Sequence, residues 1–210
     1  MKNVLFLALA LFLVACGGPE GEKVAAEEAA TETAAPAAAK TLAVDTEKSQ
    51  INWVGAKFTG DQHSGTIGLS DGQLEVQDGK LVGGEFTIDM TSMKNTDLPV
   101  EKQGDLIGHL SNGDFFLVDS FPTATFVITD VTDADGQSRI TGNLTMRDIT
   151  KSISIPATIK MDNGQAMANT PQFVIDRTQW GVMYASTAAG AIKDKAIKDE
   201  IGLQIDLVTK

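Results

Sequence analysis

The 210-residue sequence predicts one all-β domain, an antiparallel barrel with one or two short helices, that follows an export signal and a disordered linker. Three observations predict this organisation. Apolar and polar residues alternate over much of residues 41–210, tight-turn dipeptides separate the alternating runs, and an apolar N-terminal run precedes Cys16. Residues 41–210 are long enough for one domain with a real core and too short for two typical domains.

Residues 1–15 have the parts of a cleavable export signal. Lys2 supplies the charged start, residues 4–14 are apolar, and a small residue precedes Cys16. The apolar run is shorter than the about 20 residues that a spanning helix needs, and the Gly-Gly-Pro-Glu sequence after Cys16 breaks a helix. We therefore expect cleavage rather than a membrane span.

The segment Leu13-Val14-Ala15-Cys16 resembles the lipobox of bacterial lipoproteins. The resemblance implies lipidation of the Cys16 thiol, cleavage before it and an acylated new amino terminus, which together make a durable membrane anchor. By resemblance to enteric sorting, Gly17 favours the outer membrane, with the protein facing the periplasm. The alternative is an ordinary cleaved signal with a chance cysteine. Because the chain has no other cysteine, it cannot form an internal disulfide.

The charge balance excludes some partners. The chain carries 17 Lys and Arg residues against 28 Asp and Glu residues. This excess of acid repels phosphate backbones and offers no basic stripe, so nucleic acids are poor candidates as partners. It also opposes electrostatic adhesion to anionic lipid head groups, so attachment to a membrane must come from the acyl chains.

Residues 16–40 are expected to form the lipidated end and a flexible linker. From Gly17 to Lys40 the sequence is rich in Ala, Glu, Thr and Pro, and Val24 is its one large apolar residue. Such a segment buries too little surface to offset the entropy of ordering it. As a flexible chain it would span about 25–30 Å root mean square, although its Ala-Glu runs could also form transient helix.

The domain shows the period of two that is typical of half-buried strands. The clearest apolar sets are Phe86-Ile88-Met90, Ile153-Ile155-Ile159-Met161 and Ile201-Leu203-Ile205-Leu207. Dipeptides that suit tight turns separate the candidate strands: Asp71-Gly72, Asp78-Gly79, Asp135-Gly136 and Asn163-Gly164. Residues 100–110 and 191–200 predict two short helices. The pattern fits a closed barrel, which removes exposed edges, and a two-sheet sandwich would produce nearly the same pattern.

Motifs for catalysis and metal binding do not occur in the sequence. The two histidines, His63 and His109, lie outside any metal-ligand spacing, and there is no nucleophile elbow, Walker loop or dinucleotide fingerprint. Ser64 beside His63 is badly placed for proton transfer, because neighbours on a strand point to opposite faces. The sequence therefore predicts no catalytic residue, metal site or cofactor.

Asp176-Arg177 is the one charged pair inside a strand-like run, residues 172–180. Two interpretations remain open. The pair forms an ion pair at the rim of the barrel, or Arg177 meets the polar head of a ligand.

Six blocks of the domain, in order, resemble those of YceI-like proteins: Trp53-Val54-Gly55, His63-Ser64-Gly65, His109-Leu110 with Asp114-Phe115-Phe116, residues 121–126, Gly142-Asn143-Leu144-Thr145 with Thr150-Lys151, and residues 176–181. The resemblance covers about residues 41–210. It implies an exported, eight-stranded lipocalin-like β-barrel that holds a polyisoprenoid, such as a ubiquinone or an isoprenyl phosphate, in a long apolar cavity. The lipobox and the linker depart from the many members that are soluble in the periplasm.

The resemblance implies a lipid-anchored, non-catalytic isoprenoid-binding protein whose partners are the lipid or quinone and the membrane that its acyl chains enter; a homodimer remains open. The expected cavity residues are Trp53, Phe58, Phe86, Phe115, Phe116, Phe126, Leu144, Phe173, Trp180 and Tyr184, with Arg177 as a polar contact. Each also has a plain role in the core. Small residues in strand-like runs fit either a cavity or barrel bends: Gly55, Gly65, Gly83, Gly84, Gly142 and Ala157.

Two other functions remain open. An envelope interaction module would fill its barrel with side chains and expose a patch to another protein. A hydrolase or redox enzyme would need His63 or His109 in a cleft beside a carboxylate.

Overall fold

The computed structural model describes residues 18–32, 36–134 and 137–210. The predicted signal peptide, the predicted lipidation site Cys16 and the Asp135-Gly136 turn lie outside these residues. Among the described residues, no helix is both long enough and apolar enough to cross a membrane.

The described chain is mostly strand. The single α-helix in this part, α1, spans Val100–Ser111, and short 3-10 turns occupy Arg177–Trp180 and Lys193–Lys195. The strands are β1 Glu22–Lys23, β2 Glu27–Glu28, β3 Lys40–Ala43, β4 Gln50–Lys57, β5 Gln62–Gln77, β6 Lys80–Asn95, β7 Thr123–Ala134, β8 Gln137–Met146, β9 Ile149–Asp162, β10 Gln165–Asn169, β11 Phe173–Asp176 and β12 Ile197–Val208.

Eight antiparallel strands close into a barrel, which confirms the predicted fold and excludes the sandwich. Each strand from β4 to β10 pairs with the next, and β12 closes the ring because it pairs with both β10 and β4. The period of two in the sequence follows from this closure, since alternate residues of each strand face the interior.

Two further strands extend the barrel wall. The first residues of β12 pair with β11 and its last residues with β10, so β11 continues the line of β10 toward one end of the barrel. In the same way, β5 pairs with β4 near its start and with β3 near its end. We call the end that carries α1 the mouth and the opposite end the base.

Two of the predicted turns occur at the base of the barrel, and a third predicted turn lies within a strand. Asp78-Gly79 and Asn163-Gly164 form hairpin turns in which all four residues have positive φ, between 48° and 87°. Asp71-Gly72 was predicted as a turn, but it lies inside β5 next to a register shift after Leu69. Gly72 is required there because an added Cβ would lie 2.9 Å from the Cβ of Phe86.

The helix predictions had mixed outcomes. The predicted helix at residues 100–110 is confirmed as α1, which packs against β6. The helix predicted at residues 191–200 is wrong, because Lys193–Lys195 is a 3-10 turn and β12 begins at Ile197. Pairing with β4 outweighs the helix propensity of so short a segment, since isolated helices of this length are marginal in water.

The structure also differs from the predicted flexible linker. Residues 18–32, which we call the strap, lie along the barrel wall. Their strand β1 pairs in parallel with β11, and β2 pairs antiparallel with Ser152 and Lys151 of β9. Val24 and Ala26 pack against the core. A low content of apolar residues predicted disorder, but two apolar side chains and paired strand edges are enough to dock the segment.

The strap occupies a seam in the wall. β10 pairs with residues 158–162 of β9, which leaves the edge of β9 near Ser152 for β2. The buried Asn143 side chain accepts a hydrogen bond from the Ala30 main-chain N–H and donates one to the Ala30 carbonyl, each at 2.9 Å. Exposed ion pairs such as Lys23–Glu200 also join the strap to the barrel, but pairs of this kind contribute little to stability.

We predict that Asn143→Ala loosens the strap and lowers the free energy of unfolding. The substitution removes both hydrogen bonds and leaves the N–H and the carbonyl of Ala30 without their partner, which costs about 1–3 kcal/mol. Urea denaturation would measure the loss, and limited proteolysis would show whether cleavage within the strap accelerates. Asn169→Ala is the matched control, because Asn169 is exposed on β10 and bonds to Asp206. Equal losses in the two variants would contradict the docked strap.

Candidate functional site

The interior of the barrel is divided into a hollow half and a packed half. A cavity of about 450 Å³ lies at the mouth end. Toward the base, side chains from seven strands fill the interior and leave only about 20 Å³. The barrel is therefore neither a filled core nor a continuous tube.

Two aromatic rings, which we call the floor, lie one inward-facing position closer to the base than Ile88 and Ala124, which line the cavity. Phe86 on β6 and Phe126 on β7 are paired neighbours, and their ring centroids lie 5.4 Å apart. Gly142 on the adjacent strand makes room for Phe126, because a Cβ at that position would overlap the ring. Both rings are buried and border the small gap below the cavity.

Inward-facing residues of the strands form an apolar wall around the cavity. α1 and the segment after it cover the top through Leu106, Leu110, Phe115 and Phe116. The wall itself consists of Ile51, Trp53, Ile67, Ile88, Met90, Met93, Ala124, Leu144, Met146, Ile175, Ile201 and Leu203. A wall of this composition favours an apolar ligand, since apolar side chains offer a ligand few hydrogen-bonding groups.

The predicted site residues divide into two groups. Six of them line this cavity: Trp53, Phe115, Phe116, Leu144, Arg177 and Tyr184. The other five do not: Phe86 and Phe126 lie below the cavity, Phe173 and Trp180 are buried in the core without lining it, and Phe58 lies on the outer rim. Trp180 is a structural residue, because its Nε1 donates to the Leu144 carbonyl at 3.0 Å and its side chain is fully buried.

Sequence reasoning missed most of the aliphatic wall. The missed residues include Ile88 and Met90, which alternate with polar residues on the same strand as Phe86. The signal was available, since the period of two places these residues on one face. Aromatic type alone does not identify the lining, because the inward face of each strand includes its aliphatic residues as well.

Gly55 is the one small strand residue among the candidates that borders the cavity. An added Cβ at Gly55 would meet no atom within 4 Å, so open space faces this position. Gly65 has a different reason, because an added Cβ there would overlap the carbonyl of Lys94 and lie 2.6 Å from the Trp53 ring. Packing of neighbours thus explains Gly65 and Gly142, and the cavity explains Gly55.

The indole of Trp53 carries a polar group without a partner. Among the described residues, its Nε1 is the one buried side-chain nitrogen or oxygen with no hydrogen bond. Burying such a donor unpaired is costly. Trp53 lines the cavity, whereas the edge of its ring next to Nε1 lies beside Gly65, where an added Cβ would be 2.7 Å from Cε2.

Arg177 holds the rim of the mouth together. Its side chain is 1% exposed, and its guanidinium donates to four main-chain carbonyls, those of Val182, Tyr184, Ile197 and Lys198. These carbonyls belong to the loop after the 3-10 turn and to the start of β12. Burial lowers the pKa of Arg177, although the nearby Asp199 and Asp176 oppose this shift; an arginine remains charged all the same.

The predicted ion pair at the rim exists with a different partner. Arg177 pairs with Asp199 at 3.3 Å, whereas the Asp176 carboxylate accepts hydrogen bonds from the main chain and hydroxyl of Thr178. Because most of the Arg177 donors are already used within the protein, the structure favours the structural interpretation over contact with a ligand head group.

Both histidines lie at the mouth, each beside a carboxylate. His63 Nδ1 is 2.9 Å from Asp97, and His109 Nε2 is 3.3 Å from Asp114. Burial would raise the pKa of Asp97, but hydrogen bonds from the Ser64 main chain, His63 and Asn95 together lower it. Within the described ranges, no cluster of His, Cys, Asp and Glu could hold a metal ion.

A profile of the YceI-like domain matches residues 42–209. The chain belongs to the YceI-like family. Curated relatives include a UPF0312 protein of Pseudomonas paraeruginosa, 37% identical over 97 residues, which cover 45% of this chain and 44% of the relative. A UPF0312 protein of Shewanella sp. strain ANA-3 is 32% identical over 111 residues, 49% of this chain and 51% of the relative. The matched region thus spans about half the length of these relatives, and the strap precedes the YceI-like match.

Solved structures share the fold of this YceI-like barrel. Burkholderia cenocepacia BcnA has a TM-score of 0.65 at 20% identity, with 80% of this chain and 99% of that chain covered. A polyisoprenoid binding domain from Saccharophagus degradans, described as implicated in plant cell wall breakdown, has a TM-score of 0.58 at 14% identity, with 80% and 97% covered. At these identities the similarity establishes the YceI-like fold alone.

We predict that Arg177→Met destabilises the domain by about 3–5 kcal/mol, because one buried carbonyl, three partly buried carbonyls and Asp199 lose their donor. Chemical denaturation would measure the change in the free energy of unfolding. Arg139→Met is the control, since Arg139 forms a largely exposed ion pair with Glu22 and should cost no more than about 1 kcal/mol. A small loss at Arg177 would show that the rim does not depend on it.

Proposed function

We propose that this protein is a lipid-anchored, non-catalytic binding protein that holds a polyisoprenoid in the hollow half of its barrel. The observation that carries the proposal is the apolar cavity of about 450 Å³ above the Phe86–Phe126 floor. Membership of the YceI-like family supports it, as does the fold shared with the polyisoprenoid binding domain of Saccharophagus degradans.

The size of the cavity limits how the ligand binds. Its volume is within the range of about 300–1,000 Å³ that is typical of sites for small ligands. The aromatic floor stops an isoprenoid tail halfway down the barrel. The terminal isoprene units therefore occupy the cavity, while the head group of an isoprenoid quinone or an isoprenyl phosphate stays near the mouth.

The mouth offers polar groups for such a head. Lys57, His63, His109, Lys195 and Lys198 contribute to the lining there, together with Asp61 and Glu200. Donors of this kind suit the oxygens of a quinone or a phosphate. The apolar wall and the polar mouth thus match the two parts of one amphipathic ligand.

The energetics favour transfer over storage. Burying several hundred Å² of isoprenoid from water is favourable by on the order of 10 kcal/mol before association costs. A bilayer offers the tail nearly the same gain, so the ligand exchanges readily between the cavity and a membrane that the mouth reaches. We propose carriage of the lipid across the envelope as the role, with the protein anchored through acylated Cys16 to the outer membrane and facing the periplasm.

One observation keeps an enzyme as the second candidate. Each histidine lies at the cavity beside a carboxylate, which is the arrangement that a general base requires. Ser64, the neighbour of His63, contacts Asp97 through its main-chain N–H and not through the hydroxyl that a nucleophile would use. Binding without turnover is therefore the simpler function for this mouth.

We predict that Gly55→Phe blocks the cavity and weakens binding of a short isoprenoid quinone at least tenfold, because the new ring occupies the space that the tail needs. Quenching of tryptophan fluorescence would report binding, since Trp53 lines the cavity. Gly104→Phe is the matched control, because Gly104 lies exposed on α1 with open space around its Cβ position and should bind as the wild type does. Undiminished binding in Gly55→Phe would place the ligand outside the barrel.

We also predict that the wild-type protein shows no turnover of isoprenyl phosphates or of ester substrates under conditions where it binds them. Product analysis by liquid chromatography would detect any turnover. Turnover by the wild type that is lost in the His63→Gln His109→Gln variant, with an unchanged circular dichroism spectrum, would contradict the carrier function. The protein would then be an enzyme.

A further inference from the structure

We infer that the mouth of the cavity faces the membrane and that its rim inserts into the polar–apolar boundary of the bilayer. The partner is the lipid surface itself. This inference rests on the proposed acylation of Cys16, and it adds an orientation that the proposed function does not contain.

The start of the strap locates the anchor. Gly18 lies against the side chain of Lys198, since an added Cβ would lie 2.6 Å from Lys198 Nζ. Pro19 lies over Gly202, where an added Cβ would lie 2.9 Å from the Cβ of the proline. Lys198 belongs to the mouth end of β12 and contributes to the cavity lining. The described chain therefore begins beside the mouth, not at the base.

The chain outside the described residues is too short to reorient the barrel. One residue, Gly17, separates Cys16 from Gly18. Two peptide units reach at most about 7 Å, so the backbone of an acylated Cys16 would lie within that distance of Gly18, and the anchor would enter the bilayer near the mouth. A linker of 24 flexible residues would have left the orientation free, but a docked strap does not.

Exposed apolar side chains gather on the same rim. Phe58 follows β4 and is 39% exposed, with Lys198 Nζ 5.8 Å from the centre of its ring. Tyr184 lines the cavity and is 42% exposed. Ile192 is 74% exposed and lies in the loop that joins Tyr184 to β12. Aromatic and aliphatic groups at one end of a protein suit the interfacial zone of a bilayer.

The charges on the two chain segments that carry Phe58 and Ile192 are balanced. Lysines and acids alternate along the rim segments: Lys57, Asp61, Lys193, Asp194, Lys195, Lys198, Asp199 and Glu200. α1, which covers the same mouth, adds Glu101 and Asp105 against Lys102, so the rim offers no attraction to an anionic surface. Insertion then depends on the acyl chains and the apolar side chains, so a neutral phosphatidylcholine bilayer is enough to bind it.

Depth-dependent quenching would test the orientation. The mature lipidated protein has no free thiol when Cys16 carries its acyl group, so an added cysteine is a unique site for a fluorescent label. Ile192→Cys places an NBD label on the rim, and Lys80→Cys places it on the exposed base, next to the Asp78-Gly79 turn. Both variants are reconstituted in phosphatidylcholine vesicles with and without doxyl-labelled lipid.

We expect the label at Ile192 to shift to the blue and lose at least half of its emission to the doxyl lipid, while the label at Lys80 behaves as in water. Inserting 20 Gly and Ser residues between Gly17 and Gly18, a flexible span of about 25 Å, should reduce the quenching at Ile192. Equal or stronger quenching at Lys80 would overturn the inference. Shielding of the Ile192 label without lipid quenching would assign the rim to a second copy or to another protein instead.

The intact mass of the same protein separates the two proposals. A missing acyl mass on Cys16 overturns the anchor and the orientation together, but it leaves ligand binding by residues 18–210 unaffected. If the protein is acylated and the doxyl lipid quenches the label at Lys80, the orientation alone is overturned.

Discussion

An eight-stranded barrel is just wide enough either to fill itself with side chains or to hold one slim ligand. The rest of this structure depends on which part of the interior is filled and which part is hollow. Phe86 and Phe126 meet across neighbouring strands and split the interior. Below them the core packs tightly and supplies stability. Above them the wall is equally apolar but leaves a cavity of about 450 Å³, so stability and binding are assigned to different halves of one barrel.

The mouth depends on parts that are distant in sequence. Arg177 joins the loop after the 3-10 turn to the start of β12, and its buried charge is tolerated because carbonyls and Asp199 surround it. The strap fills the seam between β11 and β9. In sequence it precedes residues 42–209, which match the YceI-like domain. Since the strap begins beside Lys198, the same segment that completes the wall also sets where an acylated Cys16 would lie.

Period and turn chemistry predicted antiparallel strands because alternation is a local signal, as the confirmed strand around Phe86 shows. The pattern left a barrel and a sandwich open, and the resemblance to YceI-like proteins implied the barrel that the structure has. The turn predicted at Asp71-Gly72 was wrong because a bulge and a hairpin use the same residue types. The helix predicted at residues 191–200 was wrong because pairing with β4 is not a local signal. The strap was unpredictable from composition, since its docking depends on the edges that β9 and β11 leave open. In the site, aromatic type predicted that Trp53, Phe173 and Trp180 line the cavity. Trp53 does, but Phe173 and Trp180 are buried in the core without lining it.

The central claim is that the hollow half of the barrel carries an isoprenoid. Native mass spectrometry with organic extraction tests it most directly, on residues 18–210 exported behind an ordinary signal peptide and purified from the periplasm without detergent. The account predicts one isoprenoid for each protein molecule, lost in Gly55→Phe. A ligand-free protein that also fails to bind added quinone and isoprenyl phosphate would contradict the account and favour an interaction module.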